Sequence, residues 1–314
     1  FTDMEIGKIF SRLKKENLLD NTIVFFITDH GISQARGKQF MYDEGSRIPF
    51  IVWAPKKLKP QVKDELINHI DMAATSLEFA GIEIPDYMDA KPLFNKDHIP
   101  REFVVSARDR CDETVDHMRS VRKGNFKYIK NYLPSRPYLQ PCRYKDTKSW
   151  MSKLRELDQQ GALNDTQKLV TAKTRPAEEL YDLAVDPFEI YNLAADNAYA
   201  AKLKEFRSIL SNWIKETGDQ GVNPESEESY DSDMAYCLTR FKKRKDAGSI
   251  NSMRNLFEVE SLCIDKPRLD AKDGYEKDNV VFFGGRLSLT RRQLGILGAA
   301  INGAWGGLNL IPMH

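Results

Sequence analysis

The sequence predicts an α/β fold, the closing part of a larger sheet, followed by a smaller α+β subdomain. Three observations carry this. An amphipathic helix leads into "TIVFFI" (22–27), an unbroken apolar run of the kind that suits a strand covered on both faces of a parallel sheet. A second apolar run, "IPFIVWA" (48–54), follows, then a helix and a third strand "REFVVSA" (101–107). From about residue 118 the pattern changes to short strands separated by turn residues.

Taken in order, Thr2-Asp3-Met4-Glu5 reads as a capping box that opens a helix over residues 3–17, with Ile6, Ile9, Phe10 and Leu13 on its apolar face. Asp20-Asn21 forms a turn into the first strand. Asp71 is placed to cap a helix that Gly81 stops, with Ala74 and Leu77 facing inward. These elements make residues 1–117 the end of an α/β catalytic domain. "MRSVRKGNFKYIKNY" predicts a hairpin turning at Lys123-Gly124-Asn125. "EELYDLAVDPFEIYNLA" supplies a strand, an Asp186-Pro187 turn and a short capped segment. A helix over 198–217 repeats Leu203, Phe206, Leu210 and Trp213 and ends at Gly218, which closes a subdomain over 118–221.

Composition then shifts. "NPESEESYDSD" opens a polar linker, partly disordered, over 222–285, and "RFKKRK" (240–245) is a basic run. Residues 286–314 predict the start of a membrane segment. Arg286, Arg291 and Arg292 precede an uncharged stretch, 294–313, of about twenty residues, long enough to span a bilayer as a terminal transmembrane helix. Gly303 and Gly307 would suit close helix packing there. A buried glycine-rich helix or a loop is the alternative, and the two ends of the chain read as unrelated segments joined.

The chain has 314 residues, 41% apolar and 30% charged, with a net charge of +1, so no nucleic-acid partner is indicated. Its four cysteines are scattered with no C-x-x-C pair, which argues against a zinc ribbon. The opening residues are not a signal peptide, and a helix that begins at once predicts a start in mid-domain.

The chemistry concentrates in "TDHGISQARGKQFMYDEGSRIPFIVWAP" (28–55). A carboxylate at the end of a buried strand projects into the crevice where α/β proteins bind ligands, which is where Asp29 falls. His30 adds a second metal-ligating group, and Gly31 permits a sharp turn. A divalent cation there would polarise a bound oxyanion, to which Lys38, beside Gly37, could add a mobile point charge. The same three residues also fit a turn cap, a loop histidine and a solvated lysine.

The longer stretch narrows that choice. Asp29-His30-Gly31, Gly37-Lys38 and then Tyr42, Glu44, Gly45, Arg47, Pro49, Ile51 and Pro55 resemble, in register, the second signature of the sulfatases within the alkaline-phosphatase superfamily. "NHIDMAATSLEFAGIEIP" (68–85) and "ELYDLAVDPFEIYNLA" (179–194) are similar to later motifs of that family, so the resemblance covers about residues 3 to 221. It implies an alkaline-phosphatase-like sheet sandwich and hydrolysis of sulfate esters, of carbohydrates among others. It implies Asp29 and His30 as metal ligands and Lys38 as a catalytic residue that contacts the sulfate. Arg108, in "SARDRCDETVD", could reach an anionic substrate or pair with Asp109 or Asp112. Asp71 and His69 read as structural. Calcium is the expected metal; His30, where many sulfatases carry Asn, also suits manganese or zinc. The resemblance implies an extracytoplasmic or secretory setting.

The family's nucleophile is a formylglycine made from Cys or Ser in C/S-x-P-S-R, accompanied by two further Asp ligands. Both are expected upstream of Phe1, leaving this chain inactive by itself. "YLPSR" (132–136) imitates the pattern, but Tyr132 cannot become formylglycine, and the segment reads as a loop. A phosphonate monoester or phosphodiester hydrolase of the same superfamily is the nearest alternative. A non-catalytic, membrane-tethered glycan-binding module is the alternative of another class.

Overall fold

The computed structural model describes residues 1–111, 114–140, 142–223, 226, 228–229 and, as backbone, 308–312. In chain order the elements are α1 (Thr2–Lys15), β1 (Thr22–Ile27), α2 (Asp43–Ser46), β2 (Phe50–Trp53), α3 (Asp71–Ala80), β3 (Val104–Cys111), β4 (Thr114–Lys123), β5 (Phe126–Asn131), α4 (Arg143–Asp146), α5 (Ser149–Gln159), α6 (Asp165–Thr171), β6 (Glu178–Asp182), α7 (Ala200–Thr217) and β7 (Leu308–Pro312). They divide into two compact units, one of 1–29, 48–104 and 288–314, the other of 30–47 and 105–287.

The first unit holds a three-stranded sheet of order β2-β1-β7. Both neighbours of β1 run antiparallel to it, with Phe25 opposite Val52 on one side and Asn309 on the other. This corrects the parallel arrangement predicted from "TIVFFI". The missing alternation encodes burial, and Thr22 to Phe25 are indeed buried, but burial does not fix strand direction. A core of Ile23, Phe25, Ala54 and Phe79 forms beneath the sheet. The ring of Phe10 on α1 stands edge-on to Trp53, 5.2 Å between centroids.

Thr2 lies inside α1 and makes no cap bond; Phe1 takes the cap position, and Glu5 pairs with Lys8 at 2.7 Å instead. Asp71 is likewise the first residue of α3 and not its cap. Its fully buried carboxylate accepts the backbone N–H groups of Asn68 and Lys91, each at 2.8 Å, and pairs with Arg101. Gly81 ends α3 in the left-handed region, as the sequence predicts.

Strand β7 lies within the stretch predicted as a transmembrane helix. Residues 308–312 are strand, paired with Thr22–Phe26; the rest of 286–314 and nearly all of the 222–285 linker fall outside the described residues. No helix among the described residues is long and apolar enough to cross a membrane.

The second unit carries a four-stranded sheet of order β3-β4-β5-β6. The third predicted strand therefore belongs to this sheet and runs to Cys111, four residues beyond its predicted end at Ala107, three of them charged. Two of those charged positions are held by ion pairs, Arg108 to Asp116 at 3.4 Å and Asp109 to Arg119 at 2.9 Å. The β4–β5 hairpin closes on a Gly124-Asn125 turn between the paired Lys123 and Phe126. Leu203, Phe206 and Leu210 of α7 are buried, with Phe206 near the Tyr128 ring, and Gly218 caps the helix in the left-handed region. The core gathers Phe40, Met41, Tyr42, Met118, Ile129, Tyr138 and Tyr181, drawn from both sequence motifs.

Candidate functional site

Residues 30–47 fold back on themselves through main-chain contacts. Gly31 N–H donates to Gly45 O at 2.9 Å, Lys38 N–H to Ile32 O at 2.8 Å, and Phe40 N–H to Gly37 O at 2.9 Å. A Cβ on Gly31 would stand 1.8 Å from Glu44 O, and one on Gly37 would stand 1.8 Å from Ile32 O. Only glycine permits that approach. Two motif glycines thus set the loop path, and Lys38 rides on it.

The loop is clamped by the "ELYDLAVDPFEIYNLA" segment. Tyr42 Oη donates to Glu179 Oε2, and Asp43 N–H to Glu189 Oε2 at 2.7 Å. Arg36 donates to the carbonyls of Phe188 and Glu189 at 2.6 Å while its guanidinium lies 3.8 Å over the Tyr42 ring. Lys127, almost wholly buried, pairs with Asp43 and, at 3.5 Å, with Glu189.

Asp29, past the end of β1, is exposed and closes the first unit's opening segment; His30, next in sequence, is half-buried. His30 Nδ1 lies 2.6 Å from Gly31 O, and since a carbonyl only accepts, Nδ1 carries a proton in that contact. Among the described residues no three His, Cys, Asp or Glu side chains converge on a metal-sized site.

Lys38 is half-buried, its Nζ 4.3 Å from the centroid of Tyr144, a ring that Lys148 also faces at 4.6 Å. Arg108 lies within β3 and not beyond a strand end. It is 7% exposed, donates to Gln39 O at 2.6 Å and approaches Asp116 at 3.4 Å, whereas Asp112 lies outside the described residues. Burial pushes the Asp116 carboxyl up, but Arg108 and Arg175 outweigh it and hold the group below the usual range. A third cation, Lys145 of α4, feels the charges of both Arg108 and Lys38. Burial first, then Arg108 and Lys38, push Lys145 down to about 8 against the opposing Cys142 and Cys111. Sequence reasoning missed Lys145; its polar surroundings, "RYKDTKSW", carry no sign of burial.

The remaining candidates are structural in their surroundings. His69 Nε2 lies 2.9 Å from Thr28 O. Tyr132 stacks on His117 with centroids 4.0 Å apart, and Arg136 donates to Val115 O at 2.7 Å, so "YLPSR" is the loop predicted for it.

Residues 1–82 match the family model described as Sulfatase. The sequence is 37% identical over 227 residues to an ulvan-active sulfatase of Formosa agariphila, covering 72% of this chain and 38% of that protein. It is 26% identical over 241 residues to an N-acetylglucosamine-6-O-sulfatase of Bacteroides thetaiotaomicron, covering 72% and 36%. A solved 2-O GAG sulfatase shares the fold at a TM-score of 0.53 and 22% identity, over 71% of this chain and 42% of that one. The chain spans less than half the length of each of these relatives.

Proposed function

This chain belongs to the sulfatase family, and from that premise we propose that it serves in hydrolysing sulfate esters of acidic carbohydrates. The observation that carries the reading is the Gly31–Gly37 loop, which commits its backbone to presenting Lys38. Relatives named for ulvan and for N-acetylglucosamine-6-O-sulfate motivate the carbohydrate.

Asp29 and His30 would supply two ligands to a divalent cation, which when bound withdraws charge from sulfuryl oxygen. The donor chemistry fits, since a proton on Nδ1 facing Gly31 O is compatible with ligation through Nε2. Calcium is the first choice, and the imidazole leaves manganese and zinc as the competitors. Lys38 would place its ammonium against a non-bridging sulfate oxygen. Its work is to stabilise charge that grows as the S–O bond breaks, with the Tyr144 ring limiting where the ammonium can swing.

The test compares sulfate and phosphate esters of the same saccharide on the natural full-length product. Sulfate release is expected to dominate, and Lys38→Ala to lower kcat/KM by about 10²- to 10³-fold. Faster turnover of the phosphate ester would replace the sulfatase reading with the phosphohydrolase alternative.

A further inference from the structure

Lys145 carries a charge that its surroundings do not balance. The side chain is 2% exposed, yet among the described residues its ammonium meets only the carbonyls of Gln34 at 3.3 Å and Ala35 at 3.5 Å, above the Phe40 ring at 4.5 Å. Both contacts are long for N–H···O bonds. Among the described residues no carboxylate pairs with it. An ammonium withdrawn from water without an anion is strongly disfavoured.

Arg108 makes the second, independent observation. It is nine-tenths buried, and its Nε has no hydrogen-bond partner among the described residues. Its carboxylate partner among the described residues, Asp116, is already gripped by both arms of Arg175. Lys38 brings a third cation into the same electrostatic neighbourhood. Among the described residues Asp116 serves Arg108 and Arg175 while no carboxylate pairs with Lys145, so an anion joining them would relieve the repulsion between these cations.

We propose that Lys145 and Arg108 bind a second oxyanion, a sulfate or carboxylate group borne by the acidic saccharide whose ester sulfate faces Lys38. The link to a saccharide rests on the sulfatase reading; the anion site itself does not. Lys145 is then a specificity-determining residue, favouring sugars that bear two anionic groups over those with one.

Inorganic sulfate and glucuronate, titrated separately into the full chain and its Lys145→Met variant by calorimetry, test this without turnover. Sulfate, glucuronate or both are expected to bind, about tenfold or more weakly in the variant, whose far-ultraviolet circular dichroism stays unchanged. Which of the two loses affinity identifies the second group as sulfate or carboxylate. Equal binding to both proteins, or no binding to the wild type, overturns the proposal. Should Lys145→Met fail to fold, wild-type crystals soaked in selenate decide the matter. An anomalous peak in hydrogen-bonding reach of Lys145 Nζ supports the site, and its absence removes it. Sulfate binding through Lys145 in a protein that cleaves no sulfate ester would retire the hydrolase reading and keep this one.

Discussion

Tyr42 and Glu179, 137 positions apart in sequence, meet through a 2.7 Å hydrogen bond in the core of the second unit. Glu179 is fully buried and also accepts from Tyr181 Oη and Asn131 Nδ2, each at 2.6 Å. Burial first, and then the Glu179 charge, hold the Tyr42 and Tyr181 hydroxyls well above the ordinary phenol range, so both remain donors.

Removing one of these donors leaves a buried carboxylate short of a partner. Tyr42→Phe is expected to destabilise the second unit by about 1–3 kcal/mol. Urea titration followed by tyrosine fluorescence reads it. A midpoint equal to that of the wild type would show that the bond contributes nothing.

Gly31→Ala puts a methyl group where Glu44 O already stands. Relieving that overlap requires the 30–47 loop to shift as a body, at a cost of about 3 kcal/mol. Gly81→Ala, where the added carbon meets open space and only the left-handed φ of +69° opposes it, is expected to cost about 1 kcal/mol. Hydrogen exchange at the Lys38 and Phe40 amides should quicken in the first variant alone.

Arg101→Met strands the buried Asp71 carboxylate in the first unit. The expected loss is about 3–5 kcal/mol, and adding Asp71→Asn should restore part of it by removing the uncompensated charge. Thermal denaturation of the single and double variants checks the pair. A double variant no more stable than Arg101→Met would mean that Asp71 acts through its two backbone contacts.

Glu178 sets a pH dependence. Hydrogen bonds from Arg207, opposed by burial and helped by Tyr128, lower its carboxyl from 4.5 to about 2. A depressed folded-state value means that the ionised form is favoured in the native protein. The stabilisation is complete above pH 4.5 and disappears as pH falls from there toward 2. Glu178→Gln should flatten the stability profile in that window and leave the slope near neutrality unaltered; an unchanged acid limb would exclude Glu178 as its source.

Local chemistry was legible in the sequence. The limits of β1, the Gly124-Asn125 turn and the glycine ends of α3 and α7 follow from apolar runs and backbone preferences that act over a few residues. Strand direction was not legible, since a buried strand reads alike in parallel and antiparallel sheets. Nor was the sheet to which β3 belongs, because its polar half is stabilised by charged partners on β4, Asp116 for Arg108 and Arg119 for Asp109. Lys38 stood out through its motif, and Arg108 was noticed, but its contact with Asp116, eight residues on across the β3–β4 pair, was not. Lys145 was invisible. Its burial comes from Phe40 and the Gln34–Ala35 backbone, more than a hundred residues away. No pattern within α4 encodes that packing.

The tight approach of Gly31 and Gly37 to neighbouring carbonyls also tells an engineer where to leave the molecule alone. Retuning selectivity by randomising the conspicuous signature would mostly yield misfolded clones, because that stretch is defined by main chain that tolerates no added atoms. Tyr144 and Lys145 offer side chains instead, set against Lys38 and Phe40, so under the proposed function a focused library there is the economical starting point.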